Sequence, residues 1–233
     1  MYSPPFNVID DEAAVREMVA AYRTAWLVTA NEQRLPAATL LPIIWRADTV
    51  IAHMAKANAH WRHIADGAPG LLIATGADAY ISPAWYAAKA EHGKVVPTWN
   101  YSAIQLTGTV RVHQDADWLR TAVTELTDLH EAGRTHPWHV NDAPEQYIHG
   151  QLRGIVGIEF TVTRVDGKAK LSQNRSDADQ EGVIQGLRDE QLPTHAAAGA
   201  RTVAEKMADN LTTSRDETPH PQTAPPRWIQ VGL

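Results

Sequence analysis

Hydrophobic positions recur at two different periods along this chain, and the changes of period divide it into elements. Behind Asp10, which can cap a helix, Val15, Met18, Val19 and Tyr22 fall at helical spacing. Asp11 and Glu12 occupy the first turn, where the helix dipole favours acids. From Ala25 the pattern becomes that of strands: Ala25 to Thr29, a polar turn at Asn31 to Arg34, Ala37 to Ile44, a turn near Asp48, and Thr49 to His53. These are three short strands joined by tight connections. Asn58 can cap a short helix carrying Trp61, Arg62 and Ile64, which stops before Gly67 and Pro69. Leu71 to Thr75 predicts a fourth strand, and residues 76–97 predict irregular chain with one helical turn.

Another strand is predicted over about Tyr101 to Val112, then a helix from Asp115 or Asp117 to about His130 with Trp118, Leu119, Val123, Leu126 and Leu129 on one side. The clearest alternation is Val156, Ile158, Phe160 and Val162 against Gly157, Glu159, Thr161 and Thr163. Asp166-Gly167 then fits a two-residue hairpin turn, with KAKLSQNRS returning antiparallel. Ser176 or Asp177 can start a helix with Val183, Ile184 and Leu187 inward. Beyond Pro193 no periodicity is sustained, so residues 1–192 read as one folded domain and 193–233 as a flexible C-terminal tail, where Trp228-Ile229 can dock. Short strands with flanking helices predict an α+β domain built on a small closed or split β-barrel. Such a barrel fills its interior with side chains, so a large flat ligand has to lie in an outer groove, often between two subunits.

Composition narrows the functions. The 233 residues include no cysteine, which excludes disulfides, thiolate metal sites and cysteine nucleophiles. The opening MYSPPFNVIDDE lacks the basic start and apolar core of a signal peptide, and no apolar run is long enough to span a bilayer, so the expectation is a cytoplasmic protein without a membrane. A net charge of −6 with scattered basic residues disfavours direct DNA binding. Eight Trp and six Tyr against two Phe favour rings with a polar edge, common at wet sites and interfaces.

Candidate chemistry concentrates in HMAKANAHWRHI, residues 53–64, directly behind the apolar run Thr49 to Ala52. Lys56 offers a point charge and Arg62 a planar fork for a phosphate, next to the helix start at Asn58; the competing reading is two solvated basic residues. His60 and His63 can share a face, but no acid lies between the histidines and no HExxH is present, so His53 fits a hydrogen-bonding role better than a metal ligand. Trp99-Asn100-Tyr101 can stack on a flat heterocycle or form a packed aromatic corner. Gln173-Asn174-Arg175-Ser176 can hydrogen-bond a ring edge or a phosphate, or cap the next helix. The chain has no nucleophile elbow, P-loop or GxGxxG.

MYSPPF, LPAATLLP, IAHMAKANAHWRHI, AYISPAWY, VPTWNY, GIVGIEFTV and GKAKLSQNRS, in this order, resemble the PaiB-type FMN-binding proteins, often labelled negative transcriptional regulators. The resemblance covers nearly everything to about Leu192. It implies an α+β split β-barrel of the flavin reductase and pyridoxamine-phosphate oxidase kind with flanking helices, a homodimer, and FMN in a groove at the dimer interface. It places Thr39, Leu40, Leu41, His53, Met54, Ala55, Lys56 and Asn58 beside FMN, with Lys56 as the phosphate ligand. Arg62 joins that clamp from the local pattern, and the resemblance adds Trp99, Asn100, Gln173 and Arg175 from the same or the partner subunit. Leu40 departs from the family, which commonly has His there. The implied role is regulatory or redox-sensing; the alternatives are a flavin oxidoreductase using NAD(P)H or reduced flavin on a small acceptor, and haem binding through His53 in the same groove.

Overall fold

The structure is a computed structural model and describes residues 1–189 and 194–216. The elements in chain order are β1 (Val8–Ile9), α1 (Glu12–Tyr22), β2 (Thr24–Ala30), β3 (Pro36–Pro42), β4 (Ile44–Arg46), β5 (Thr49–Ala55), β6 (Ala68–Ile81), α2 (Ala88–His92), β7 (Thr98–His113), α3 (Ala116–Glu131), α4 (Glu145–Leu152), β8 (Ile155–Lys170), α5 (Asp177–Asp189) and α6 (Thr194–Asp216). Short 3₁₀ turns cover Ala59–His63, Pro83–Trp85 and Val140–Asp142. The strands form one sheet in the order β3-β2-β6-β7-β8-β5-β4, with β1 paired to β8.

Two compact units share the chain, one holding Met1–Val15, Thr75–Ile104 and the described part of Asp166–Arg227, the other Arg16–Ala74 and Gln105–Val165. In the second unit, Val50, Ala52 and Met54 of β5 face Phe160, Ile158 and Val156 of β8 in register, and all six are buried. The period-2 pattern thus puts one face of each strand into the core. The opposite face pairs Ile51 with Glu159 and His53 with Gly157. There α3 covers the sheet: a Cβ on Gly157 would lie 2.0 Å from the Trp118 ring. Asp115 caps α3 by accepting from the Trp118 amide at 2.9 Å, as the sequence indicated.

The first unit has its own core, where Ile81, Tyr86, Val183, Leu187, Val203 and Met207 cluster. Trp85 lies against α5 at Gly186, where a Cβ would come within 2.4 Å of the ring.

Three sequence expectations differ from the structure. Strand β6 runs on to Ile81, through residues 76–81 that the sequence reads as irregular chain. Asp166-Gly167 is not a hairpin turn: β8 continues through it to Lys170. A type I′ turn needs positive φ at both central residues, and neither has it. Gly167 instead pairs with Ile9, and a Cβ there would stand 3.0 Å from Val15 and 3.1 Å from Ile9, so the glycine serves close approach of β1 and α1. Residues 194–216 are helix rather than loose chain, with Ala200, Val203, Ala204, Met207 and Leu211 buried at helical spacing. Two of these five are alanine, whose high helix propensity comes with little hydrophobic signal. Trp228-Ile229 lies outside the described residues.

Candidate functional site

The HMAKANAHWRHI segment leaves β5 under tight backbone control. The ladder ends at the Ala55–Ile155 pair; the Lys56 amide then donates to the Gly154 carbonyl at 2.8 Å, and the Asn58 amide to the Ala55 carbonyl at 2.9 Å. The Trp61 indole N–H donates to the Lys56 carbonyl at 2.9 Å. Lys56 is therefore fixed at both its peptide groups while its side chain is exposed. Asn58 caps the next turn as expected, accepting from the His60 amide at 3.0 Å.

His60 ties this turn to the sheet. Its Nδ1 lies 2.8 Å from the Thr39 hydroxyl and its Nε2 2.9 Å from the Thr29 hydroxyl, and Asn58 Nδ2 donates to Thr39 at 3.2 Å. A neutral imidazole donates through one nitrogen and accepts through the other, which both hydroxyls satisfy. Burial, and secondarily His63, holds its pKa below the ordinary imidazole value; burial alone does so for His53. A histidine kept neutral in the folded state lets the unfolded chain take up its proton first as pH falls. Stability is accordingly complete above about pH 6.5 and declines below it. Thermal melts between pH 8 and 5 should show the decline, with a shallower slope in His53→Gln and His60→Gln proteins.

The other candidates of this unit divide by strand face. Leu41 and Met54 are core side chains. Leu40 points outward, 48% exposed, beside Trp26 at 44%. His53 shares the face of Gly157, the glycine covered by Trp118, and its buried Nδ1 has no hydrogen-bond partner among the described residues. Ala55 and Arg62 are exposed, and the Arg62 guanidinium lies 5.7 Å from the centre of the Trp61 ring.

Lys56 opens onto a groove of about 280 Å³ with Gln114, His149 and Arg153. Arg153 ends α4 next to Gly154, the residue that receives the Lys56 amide, so the β5–β8 register brings both cations to one end of the sheet. Neither side chain has an ion pair among the described residues, whereas His149 is paired with Glu145 at 3.1 Å. Nothing near Arg153 in the sequence marks it as a site residue. Among the described residues, no group of three His, Cys, Asp or Glu is placed to hold a metal.

In the first unit, Trp99 is half-exposed and meets Tyr80 edge to face, ring centres 6.2 Å apart. Asn100 is fully buried, its amide donating to Ser172 at 3.0 Å and to the Met207 sulfur at 3.2 Å. Gln173 folds back on its own strand, accepting from the Leu171 amide and donating to the Ala169 carbonyl. Arg175 lies 4.6 Å over the Tyr86 ring. Burial pushes the Tyr86 phenol pKa up, with the Arg175 charge opposing.

Residues 1–164 match the model of the family described as "Putative FMN-binding domain". The Bacillus subtilis protease synthase and sporulation protein PAI 2 is 30% identical over 215 residues, 91% of this chain and 98% of that protein. The chain belongs to the PaiB-type FMN-binding family. An uncharacterized Aspergillus fumigatus protein is 38% identical over 143 residues, and the match spans 54% of its length, about half. Among solved structures, the FAD and haem binding protein of Mycobacterium smegmatis superposes with a TM-score of 0.54 at 16% identity, over 70% of this chain and 73% of that one. The Azotobacter vinelandii flavocytochrome Anf3 does so at 0.52 and 14%, over 72% of each. The fold is the α+β split barrel with flanking helices.

FMN is the cofactor of the PaiB-type family. The donor set here fits it: a phosphomonoester seeks cations and N–H donors, and the groove offers Lys56, Arg153 and the Gln114 amide. When bound, FMN supplies one- and two-electron redox chemistry. Among the described residues, no helix is long and apolar enough to cross a membrane.

Proposed function

We propose that this protein is a cytoplasmic FMN-binding homodimer with a regulatory or redox-sensing role, holding the FMN phosphate between Lys56 and Arg153. The observation that carries the proposal is the groove itself, where two cations with no ion pair among the described residues line one hollow on a rigid backbone frame. Lys56 is the primary ligand because both its peptide groups are fixed. Thr39, Leu40, His53, Ala55, Asn58 and Arg62 belong to the same assignment as residues beside the flavin, Leu41 and Met54 join it through their backbone alone because their side chains are in the core, and the His60 network holds the turn in place. Asn100 and Gln173 are left out of it, because internal hydrogen bonds satisfy their amides, and so are Trp99 and Arg175, which pack on Tyr80 and Tyr86.

The homodimer rests on an apolar outer face. Leu40, Trp26 and Ile73 align across β3, β2 and β6, with Ala38, Val28 and Leu71 as the next row. A contiguous row of this kind, carrying a half-exposed Trp, suits a self-complementary contact with a second copy. The name of the Bacillus relative, protease synthase and sporulation protein PAI 2, ties it to sporulation and supports a regulatory role. The net charge of −6 argues for a partner or small-molecule signal over direct DNA contact.

Sedimentation of the purified protein tests the proposal. The expected species is a yellow dimer with one FMN per protomer, and Trp26→Glu should give a monomer that loses flavin. Protein that stays colourless after incubation with FMN sinks the reading. Steady consumption of NAD(P)H with a small acceptor would replace the sensing role by an oxidoreductase.

A further inference from the structure

The first unit contains a cavity of about 360 Å³ that the flavin assignment does not use. Tyr80, Trp85 and Trp99 line it, and α6 adds the small residues Ala196 and Gly199. The Tyr80–Trp99 pair forms a corner, the rings inclined by 73°. At Gly199 a Cβ would come within 2.7 Å of the Asp78 carbonyl, so helix and strand meet closely at the cavity.

Its charge is one-sided. Asp78 lines it, with no ion pair or hydrogen bond to its side chain among the described residues, and among those residues no Lys, Arg or His lines it. The first turn of α6 adds an opposing partial charge of roughly half a unit, which the full charge of Asp78 outweighs. Aromatic faces attract cations through the ring quadrupole, and an unpaired carboxylate accepts a charge-assisted hydrogen bond from an ammonium or amidinium group. Among the described residues, an anion such as the flavin phosphate finds no cation there. The volume lies in the range of small-ligand sites.

We infer that this cavity is a second ligand site, taking a small organic cation with an apolar or aromatic body, its charged nitrogen on Asp78 and its body against Tyr80 and Trp99. A protein with a sensing role needs such an input, but the site stands on its own geometry and does not depend on where FMN sits.

Calorimetric titration of full-length, FMN-saturated protein with three probes of one shape, benzylammonium, benzyl alcohol and benzoate, decides it. Benzylammonium should bind saturably and about 10–100-fold more tightly than benzyl alcohol, the span of one charge-assisted hydrogen bond, with benzoate weakest. Asp78→Asn, a near-isosteric change at an exposed carboxylate, should erase the preference for the cation while keeping benzyl alcohol affinity. Ala196→Leu, which fills the hollow from α6 and leaves Asp78 intact, should abolish binding of both. Absence of saturable benzylammonium binding, equal binding of benzoate, or an undiminished preference in Asp78→Asn would overturn the inference.

Discussion

Lys56→Ala protein should hold riboflavin as well as the wild type does while losing FMN affinity by about 10–100-fold, the span of one charge-assisted hydrogen bond. The two flavins differ only in the phosphate, so the comparison isolates the groove. Arg153→Ala should act in the same direction and also spare riboflavin. Lys56 should contribute the larger share, because its peptide N–H and C=O are both hydrogen-bonded and its side chain departs from a fixed point. Lys94→Ala, an exposed lysine outside the groove, is the control and should change nothing. Fluorescence titration reads all of these constants. Equal loss in the Lys56 and Lys94 variants, or parallel loss of riboflavin and FMN, would remove the phosphate from this groove. Wild-type protein that binds neither flavin would remove the cofactor reading altogether.

The largest effect on stability is expected from Gly108→Ala. Gly108 sits in β7, and a Cβ on it would lie 2.0 Å from the Thr161 carbonyl oxygen and 2.6 Å from the Phe160 ring. Neither neighbour can yield cheaply, since one is backbone of β8 and the other is fully buried in the core. Overpacking of this kind costs roughly 3 kcal/mol, the upper part of its usual range. For a chain of this length that is a fall in Tm of about 6–12 °C. Gly150→Ala provides the contrast. It lies inside α4 with open space around it, the nearest atom being an Arg153 nitrogen at 3.9 Å. Removing the backbone freedom of a helical glycine should leave stability unchanged or raise it by about 0.5–1 kcal/mol. Equal melting temperatures for the two variants would contradict the packing at Gly108.

Most elements were legible because the evidence for them is local. The Val156–Thr163 alternation, the Asp115 and Asn58 caps and the apolar stripe of α3 all depend on neighbours within a few residues. The hairpin at Asp166-Gly167 failed for the complementary reason. The dipeptide fits a turn, but β1, some 160 residues earlier in the chain, claims the same glycine for a close approach. The helix 194–216 was not legible because two of its five buried positions, Ala200 and Ala204, carry helix propensity with little hydrophobic contrast.

By itself the sequence determined the fold class, the family and the segment that carries Lys56, since these follow from patterns and motifs a few residues long. Tertiary structure alone decided what each side chain in that segment can do. His60 became the brace of the turn because β2 and β3 set Thr29 and Thr39 on either side of its ring. Met54 and His53, adjacent in the chain, went to opposite faces of β5. Arg153 joined Lys56, nearly a hundred residues away, because the register of β5 on β8 ends both strands at the same place. Register and face are properties of paired strands, and a single strand's sequence does not contain its partner's alignment.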